Sequence, residues 1–302
     1  MIFVQQLING LTTGTLFALI SIGYTMVYGI IELINFAHGD LFMLGSFLAL
    51  TVVTAMKLTA SSGFPLVASI ALTFLISMVF CASLNWTVDR LVYKPLRNAP
   101  KLTPLVSAIG VSFVFMGIGQ IWKGVADRDF PSLVSNANLL HSESLRFTPK
   151  DLLVYSVTIP LMAALTLFVK FTRLGKAMRA TAQNPTAARL MGIDVDRVIG
   201  ATFMIGGGLA GAASVIYGLS INTVSFQMGY QNGLYAFTAA VLGGIGNLPG
   251  AMLGGIVIGL VRSLGSQYVG EQWTSALVFG ILIILLVFRP SGLLGARTRE
   301  KV

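Results

Sequence analysis

Apolar stretches of about 20 residues recur along this chain from Leu7 to Phe288, each long enough to cross a hydrocarbon core of about 30 Å. Of the 302 residues, 55% are hydrophobic and only 10% are charged, whereas a soluble domain carries roughly 25% charged residues. An ordinary soluble globule is excluded. The expected fold class is an all-α integral membrane protein with about eight transmembrane helices plus a broken or re-entrant element. All of it belongs to one domain, residues 1–302.

Apolar length and helix breakers place the spans near Leu7–Ile31, Asn35–Met56, Phe64–Trp86, Leu102–Trp122, Leu152–Val169 and Val198–Ser220. A longer broken segment, Leu234–Leu264, and a last span, Trp273–Phe288, follow. No Lys or Arg precedes Lys57, so the first stretch lacks the basic region and cleavage site of a leader and reads as a retained span. The lone cysteine, Cys81, excludes an internal disulfide and a cysteine-based metal site.

The net charge is +9, but the basic residues fall in short connections between apolar runs, not on a soluble element. Nucleic acid is therefore not an expected partner, and the lipid bilayer is. Loops rich in Lys and Arg stay on the cytoplasmic side. Three stretches hold most of the 20 basic residues: Arg90 to Lys101, Lys170 to Arg197, and Arg289 to Lys301. If all three share one side, the chain crosses an even number of times between Arg197 and Arg289, yet one span per apolar run gives an odd number. The middle run is therefore unusual. It contains Leu242-Gly-Gly-Ile-Gly-Asn-Leu-Pro-Gly250, a cluster that breaks a helix. A re-entrant hairpin or two half-helices is expected there, with its backbone buried in protein or lining a wet cavity. Gly243, Gly244, Gly246, Asn247 and Pro249 are accordingly candidate pathway or gate residues.

Between Lys170 and Arg197 the spacing predicts a short helix, Pro185 to Met191. Asn184 suits the N-cap, Pro185 the first helical position, and Gly192 the residue just past the end. Seven residues make about 10 Å of helix, too short to be stable alone in water. It must dock, either on its own membrane domain or on a partner.

Glu32-Leu-Ile-Asn35-Phe-Ala-His38-Gly39-Asp40 sets three ionisable groups beside apolar runs, and such groups in a membrane are functional candidates. Two readings stand. Glu32, Asn35 and His38 share a helical face toward a cavity, or the stretch is an interfacial turn with Glu32 and Asp40 in water and Asn35 as a cap. Asn35, His38 and Gly39 join the candidate pathway set on the first reading. Zinc is not expected, since the second histidine, His141, lies in a distant polar loop. Ser220 to Asn232 is a further polar patch, either a plain outer loop or a surface that receives substrate. The small-residue pairs Gly10–Gly14, Gly207–Gly211, Gly250–Gly254 and Gly255–Gly259 favour close helix packing.

Thr186-Ala-Ala, three residues, then Gly192 resembles the Glu-Ala-Ala-x-x-x-Gly loop of binding-protein-dependent importer permeases, with Thr in the Glu position. The likeness extends to Tyr24-Thr-Met-Val-Tyr-Gly-Ile30, Ile34-Asn-Phe-Ala-His-Gly39, Arg173-Leu-Gly175 and Ala236-Phe-Thr-Ala-Ala-Val-Leu-Gly-Gly-Ile-Gly246. These strings are similar to the branched-chain amino acid (leucine, isoleucine, valine) permease subunit of the LivH type, an ATP-binding-cassette importer family. The resemblance implies a bacterial cytoplasmic (inner) membrane location and a coupling helix that sits on a cytoplasmic ATPase. It also implies a paralogous permease subunit, two ATPase subunits, and a periplasmic or extracellular substrate-binding protein. Arg173, Gly175, Arg179, Asn184, Pro185, Thr186, Ala187, Ala188 and Gly192 are the coupling residues it implies.

No phosphate-binding loop occurs. Gly206-Gly-Gly-Leu-Ala-Gly211 lacks the Lys and the Ser or Thr, so no catalysis and no cofactor is expected on this chain, and ATP with magnesium is expected on partner subunits. A urea or short-amide permease of the same family, a secondary transporter and a channel are the alternatives. A secondary transporter needs mid-span ionisable groups and inverted repeats, and a channel needs a filter of carbonyls or charges.

Overall fold

A computed structural model describes residues 2–58, 64–97, 99–100, 102–140 and 145–295. Lys101, His141, Arg297, Arg299 and Lys301 lie outside the described residues. The chain is a helical bundle: α1 (Ile2–Ile31), α2 (Ala37–Ala55) and α3 (Phe64–Val88), the last continuing through one π-helical turn (Asp89–Tyr93) into α4 (Lys94–Leu96). Then come α5 (Leu102–Lys123), α6 (Pro149–Phe171), α7 (Arg173–Gln183), α8 (Pro185–Leu190) and α9 (Val195–Ile221). The last three are α10 (Met228–Gly243), α11 (Leu248–Tyr268) and α12 (Glu271–Phe288). Eight of the described helices are long and apolar enough to cross a bilayer. The protein is thus a multi-pass membrane protein, as expected.

The broken segment is now resolved. Residues 244–247 divide it into α10 and α11, and α10, with 16 residues, extends about 24 Å. Four helices, α9 to α12, therefore lie between Arg197 and Arg289, an even number of helices, although α10 is shorter than the eight candidate spans. α10 begins at Met228, ahead of the Leu234 expected from hydropathy, because polar Gln231 and Asn232 interrupt the apolar run without ending the helix. In the bundle Asn232 is buried and donates to the Met228 carbonyl one turn back (3.0 Å).

α1, α2 and α9 form the centre, whereas α3, α5, α6 and α12 are mostly exposed at the periphery. α1 and α11 run antiparallel along their whole length, and the small-residue pairs set their approach. A Cβ at Gly10 would lie 2.9 Å from the Leu260 Cα, and one at Gly14 would lie 2.8 Å from the Ile256 Cα. Gly29 faces Gly246 at the far end of the same seam. Gly207 packs on Cys81 and Asn85 of α3, and Gly211 packs on Ser77 and Met78. These contacts substitute backbone proximity for a hydrophobic drive that lipid does not supply.

The basic stretches meet at one end. Arg97 bridges Asp89 (2.7 Å) and Asp196 (2.6 Å), and Lys94 reaches Asp196 (3.1 Å). The segment after α12 returns to α10, with the Leu293 amide donating to the Leu242 carbonyl (2.8 Å). At the other end, Arg128–Asp129 pairs antiparallel with Thr223–Val224. That ribbon, the buried Phe130 and a capping box between Thr148 and Asp151 give the polar loop 127–150 a structural role that its sequence did not reveal.

Candidate coupling and translocation sites

α8 forms for the local reasons read from the sequence. The Asn184 side chain accepts the Ala187 amide (3.0 Å), Pro185 begins the helix, and Gly192 follows it at φ +80°. The Gly192 amide donates to the Arg189 carbonyl and the Ile193 amide to the Ala188 carbonyl, each at 3.0 Å. This pair of reversed bonds is the Schellman stop, which requires a left-handed residue at Gly192. Ala188 is buried toward the bundle. Leu190 and Met191, by contrast, are 85% and 82% exposed, an apolar tip on the basic end of the molecule.

α7 carries α8. Thr172 caps it by accepting the Gly175 amide (3.0 Å), Gly175 lies against the backbone of Phe168 and Val169 at the end of α6, and Arg179 donates to the Lys170 carbonyl (3.2 Å). Arg173 and Thr186 are exposed. Met178, Arg179 and Ala182 of α7 line a cleft of about 80 Å³ whose opposite wall includes Gly246 and Leu248. Arg179 of the coupling set and Gly246 of the glycine break thus line one small cavity, and the other coupling residues do not.

At the break, Gly244 and Gly246 take φ values of +103° and +90°, a region open to glycine at no steric cost. Gly243 lies against the Gly250 backbone. Asn247 caps α11 by accepting the Gly250 amide (3.2 Å) and also donates to the Leu294 carbonyl (2.6 Å), while Pro249 sits in the first turn of α11. The Leu242 and Gly243 carbonyls at the end of α10 accept from the Leu293 and Leu294 amides (2.8 and 3.0 Å), so protein and not lipid covers this side of the break, which lies at the α7–α8 end of the bundle.

The stretch 32–40 combines parts of both expectations. Glu32 is exposed with φ +53°, and the chain is not helical from Glu32 to Phe36, so Glu32 shares no helical face with Asn35 and His38. Asn35 does not cap α2 either. Its amide donates to Asn85 (3.1 Å), whose own amide donates to the Phe203 carbonyl (2.7 Å), tying the α1–α2 connection to α3 and α9. His38 is buried edge-on against Tyr24, with ring centroids 4.8 Å apart. Gly39 meets Gly229 and Gly233 of α10. Asp40 is buried rather than in water and accepts a hydrogen bond from Ser112 of α5.

Above this cluster lies a cavity of about 460 Å³ among α1, α5 and α10. Phe36, Ile109, Phe113, Met116, Leu234 and Phe237 make its walls apolar, and Tyr24, Ser112 and Tyr230 are the lining residues with polar side-chain atoms. A narrow cleft that shares Tyr24 and Phe237 continues past Ile34 to Ile245, inside the break. The cavity and the cleft run along α10 between the two halves of the candidate pathway set, but Asn35, His38, Gly39, Gly243, Gly244, Gly246, Asn247 and Pro249 are not among the residues that line them. Ser112 gave no signal in the sequence, because one hydroxyl in an apolar run looks like any other.

A bundle of apolar spans with an apolar-walled cavity, a glycine-broken helix and an exposed basic-end helix defines a membrane permease. The chain belongs to the family described as the permease component of the branched-chain amino acid transport system, which matches residues 6–287. It is 40% identical over 304 residues to the high-affinity branched-chain amino acid transport system permease protein LivH of Escherichia coli K12, covering 99% of this chain and 98% of that one. The corresponding BraD protein of Pseudomonas aeruginosa is 39% identical over 303 residues, covering 99% and 98%. PsaBC from Streptococcus pneumoniae, solved in complex with Fab, has the same fold, with a TM-score of 0.54 at 13% identity over 96% of this chain and 92% of that one.

Proposed function

We propose that this chain is one permease subunit of an ATP-driven importer that carries branched-chain amino acids across a bacterial inner membrane. The observation that carries this reading is α8. A six-residue helix gains little stability by itself, yet it is capped at both ends and holds Leu190 and Met191 out from the bundle. An exposed apolar tip of this kind calls for a partner's groove, and a cytoplasmic ATPase supplies one. On this reading the chain itself holds no cofactor. ATP and magnesium act on two ATPase subunits, a paralogous permease subunit completes the pathway, and a binding protein delivers the ligand at the opposite end.

Motion then has a physical route. Force on α8 passes to α7, whose Met178, Arg179 and Ala182 face the break across the small cleft. Displacing Gly246 and Leu248 moves Ile245 away from Ile34 and opens the cleft below the apolar cavity. The cavity walls suit an aliphatic side chain and disfavour urea, whose polar atoms would lose water there without partners.

Uptake of radiolabelled leucine into proteoliposomes holding this chain with its permease, ATPase and binding-protein partners tests the reading. Uptake that requires internal ATP and is lost in Leu190→Asp/Met191→Asp is the expected result. Uptake without ATP or without the ATPase would instead establish a secondary transporter or channel.

A further inference from the structure

At the end of the bundle opposite α8, a second cavity of about 310 Å³ opens among α1, α9, α10, α11 and α12. Its volume falls within the roughly 300–1,000 Å³ typical of small-molecule sites. Leu16, Phe17 and Ile20 form one wall, and Arg262 and Glu271 stand on another.

Arg262 lies within the apolar helix α11, where an ionised side chain is costly and marks function by default. Its guanidinium rests over the rings of Phe17 and Tyr235, 5.7 and 5.0 Å from their centroids, which fixes its plane. Among the described residues it makes no hydrogen bond. Glu271 approaches only to 3.8 Å, beyond hydrogen-bond length. A flat fork of donors is thus held in place by two rings, in a loose ion pair with the Glu271 carboxylate. Both side chains reach solvent, at 30% and 67% exposure.

We infer that this outer cavity binds a free zwitterionic α-amino acid with an aliphatic side chain. The ligand's carboxylate takes the Arg262 fork, a pairing that is bidentate and strong. Its ammonium faces Glu271, and its side chain lies on Leu16, Phe17 and Ile20. The inference rests on the importer reading for the class of ligand, and it adds a receiving site ahead of the larger inner cavity.

The single cysteine, Cys81, is buried, so Ser266→Cys in the cavity wall adds one reachable thiol. Its labelling by a membrane-impermeant maleimide is followed in the assembled transporter in nanodiscs, without binding protein, as leucine is added. Leucine is expected to slow labelling saturably, whereas 4-methylpentanoate and 3-methylbutylamine, each lacking one charged group, do not at the same concentration. Adding Arg262→Gln is expected to raise the half-protecting leucine concentration about tenfold or more. Glu271→Gln, on the exposed first turn of α12, shifts it in the same direction and serves if the arginine variant fails to fold.

Labelling indifferent to leucine, equal protection by either analogue, or unchanged protection in both variants overturns the inference. So does protection by the binding protein alone, which would make the cavity a protein-docking surface. ATP-driven leucine uptake by the unsubstituted transporter is measured in parallel. Uptake without protection sinks the cavity assignment alone, and protection without uptake sinks the importer reading alone.

Discussion

Tyr24 does at α2 what a capping residue ordinarily does. Phe36 at the N-cap offers no side-chain acceptor, and the Gly39 amide instead donates to the Tyr24 hydroxyl of α1 at 3.1 Å. Tyr24→Phe should leave that buried amide unpaired, at a cost of about 1–3 kcal/mol. A lowered unfolding temperature in detergent would show it, and an unchanged one would mean that the amide finds another acceptor. Gly246 tests the break. A Cβ there meets nothing closer than the Gly29 Cα at 3.7 Å, so Gly246→Ala strains the backbone without a clash. It should slow ATP-driven uptake while the complex still assembles. Gly243 is a poorer probe, because its Cβ would meet the Gly250 backbone and the hairpin itself would fail.

For α8, the local signals in the sequence were sufficient. Asn184, Pro185 and Gly192 occupy the positions expected of them, since caps act through backbone amides and carbonyls within one turn. Asn184→Ala should cost about 1 kcal/mol locally and lower the leucine-stimulated ATPase rate of the reconstituted complex more than its melting temperature. An equal fall in both would mean that the helix is only structural. Elements governed by distant contacts were less legible. The start of α10 and the loop from Glu32 to Phe36 both depend on which neighbour a polar side chain meets. Asn35 has the residue type of a cap, yet Asn85, fifty positions away, holds its side chain.

Across the whole molecule, the Asp89–Arg97–Asp196 network fastens the end of α3 to the start of α9. The Asp89 side chain is 1% exposed, and removing the partner of a buried charge costs about 3–5 kcal/mol. Arg97→Met should therefore destabilise the bundle strongly, and adding Asp89→Asn should recover part of the loss. If the double variant is no better than the single one in a thermal melt, the buried charge is not what was left uncompensated. Sidedness is also testable. Cysteines at Gln5 and at Arg189 should label from opposite faces of the membrane, because α1 begins beside Arg146 and Gln267, at the end away from α8.

By itself the sequence determined the membrane class, the helical form, a helix break within Gly243–Gly250, found at residues 244–247, and the capped helix on the basic loop. Each follows from hydropathy, charge placement or backbone chemistry acting over a few residues. Only the tertiary structure decided that Asp40 is buried, that the break lies across a cleft from α7, and that Arg262 rests over two aromatic rings. Those outcomes depend on which helices touch, and contacts between residues far apart in sequence, such as Asp40 with Ser112 or Phe17 with Arg262, leave no local trace in an apolar chain.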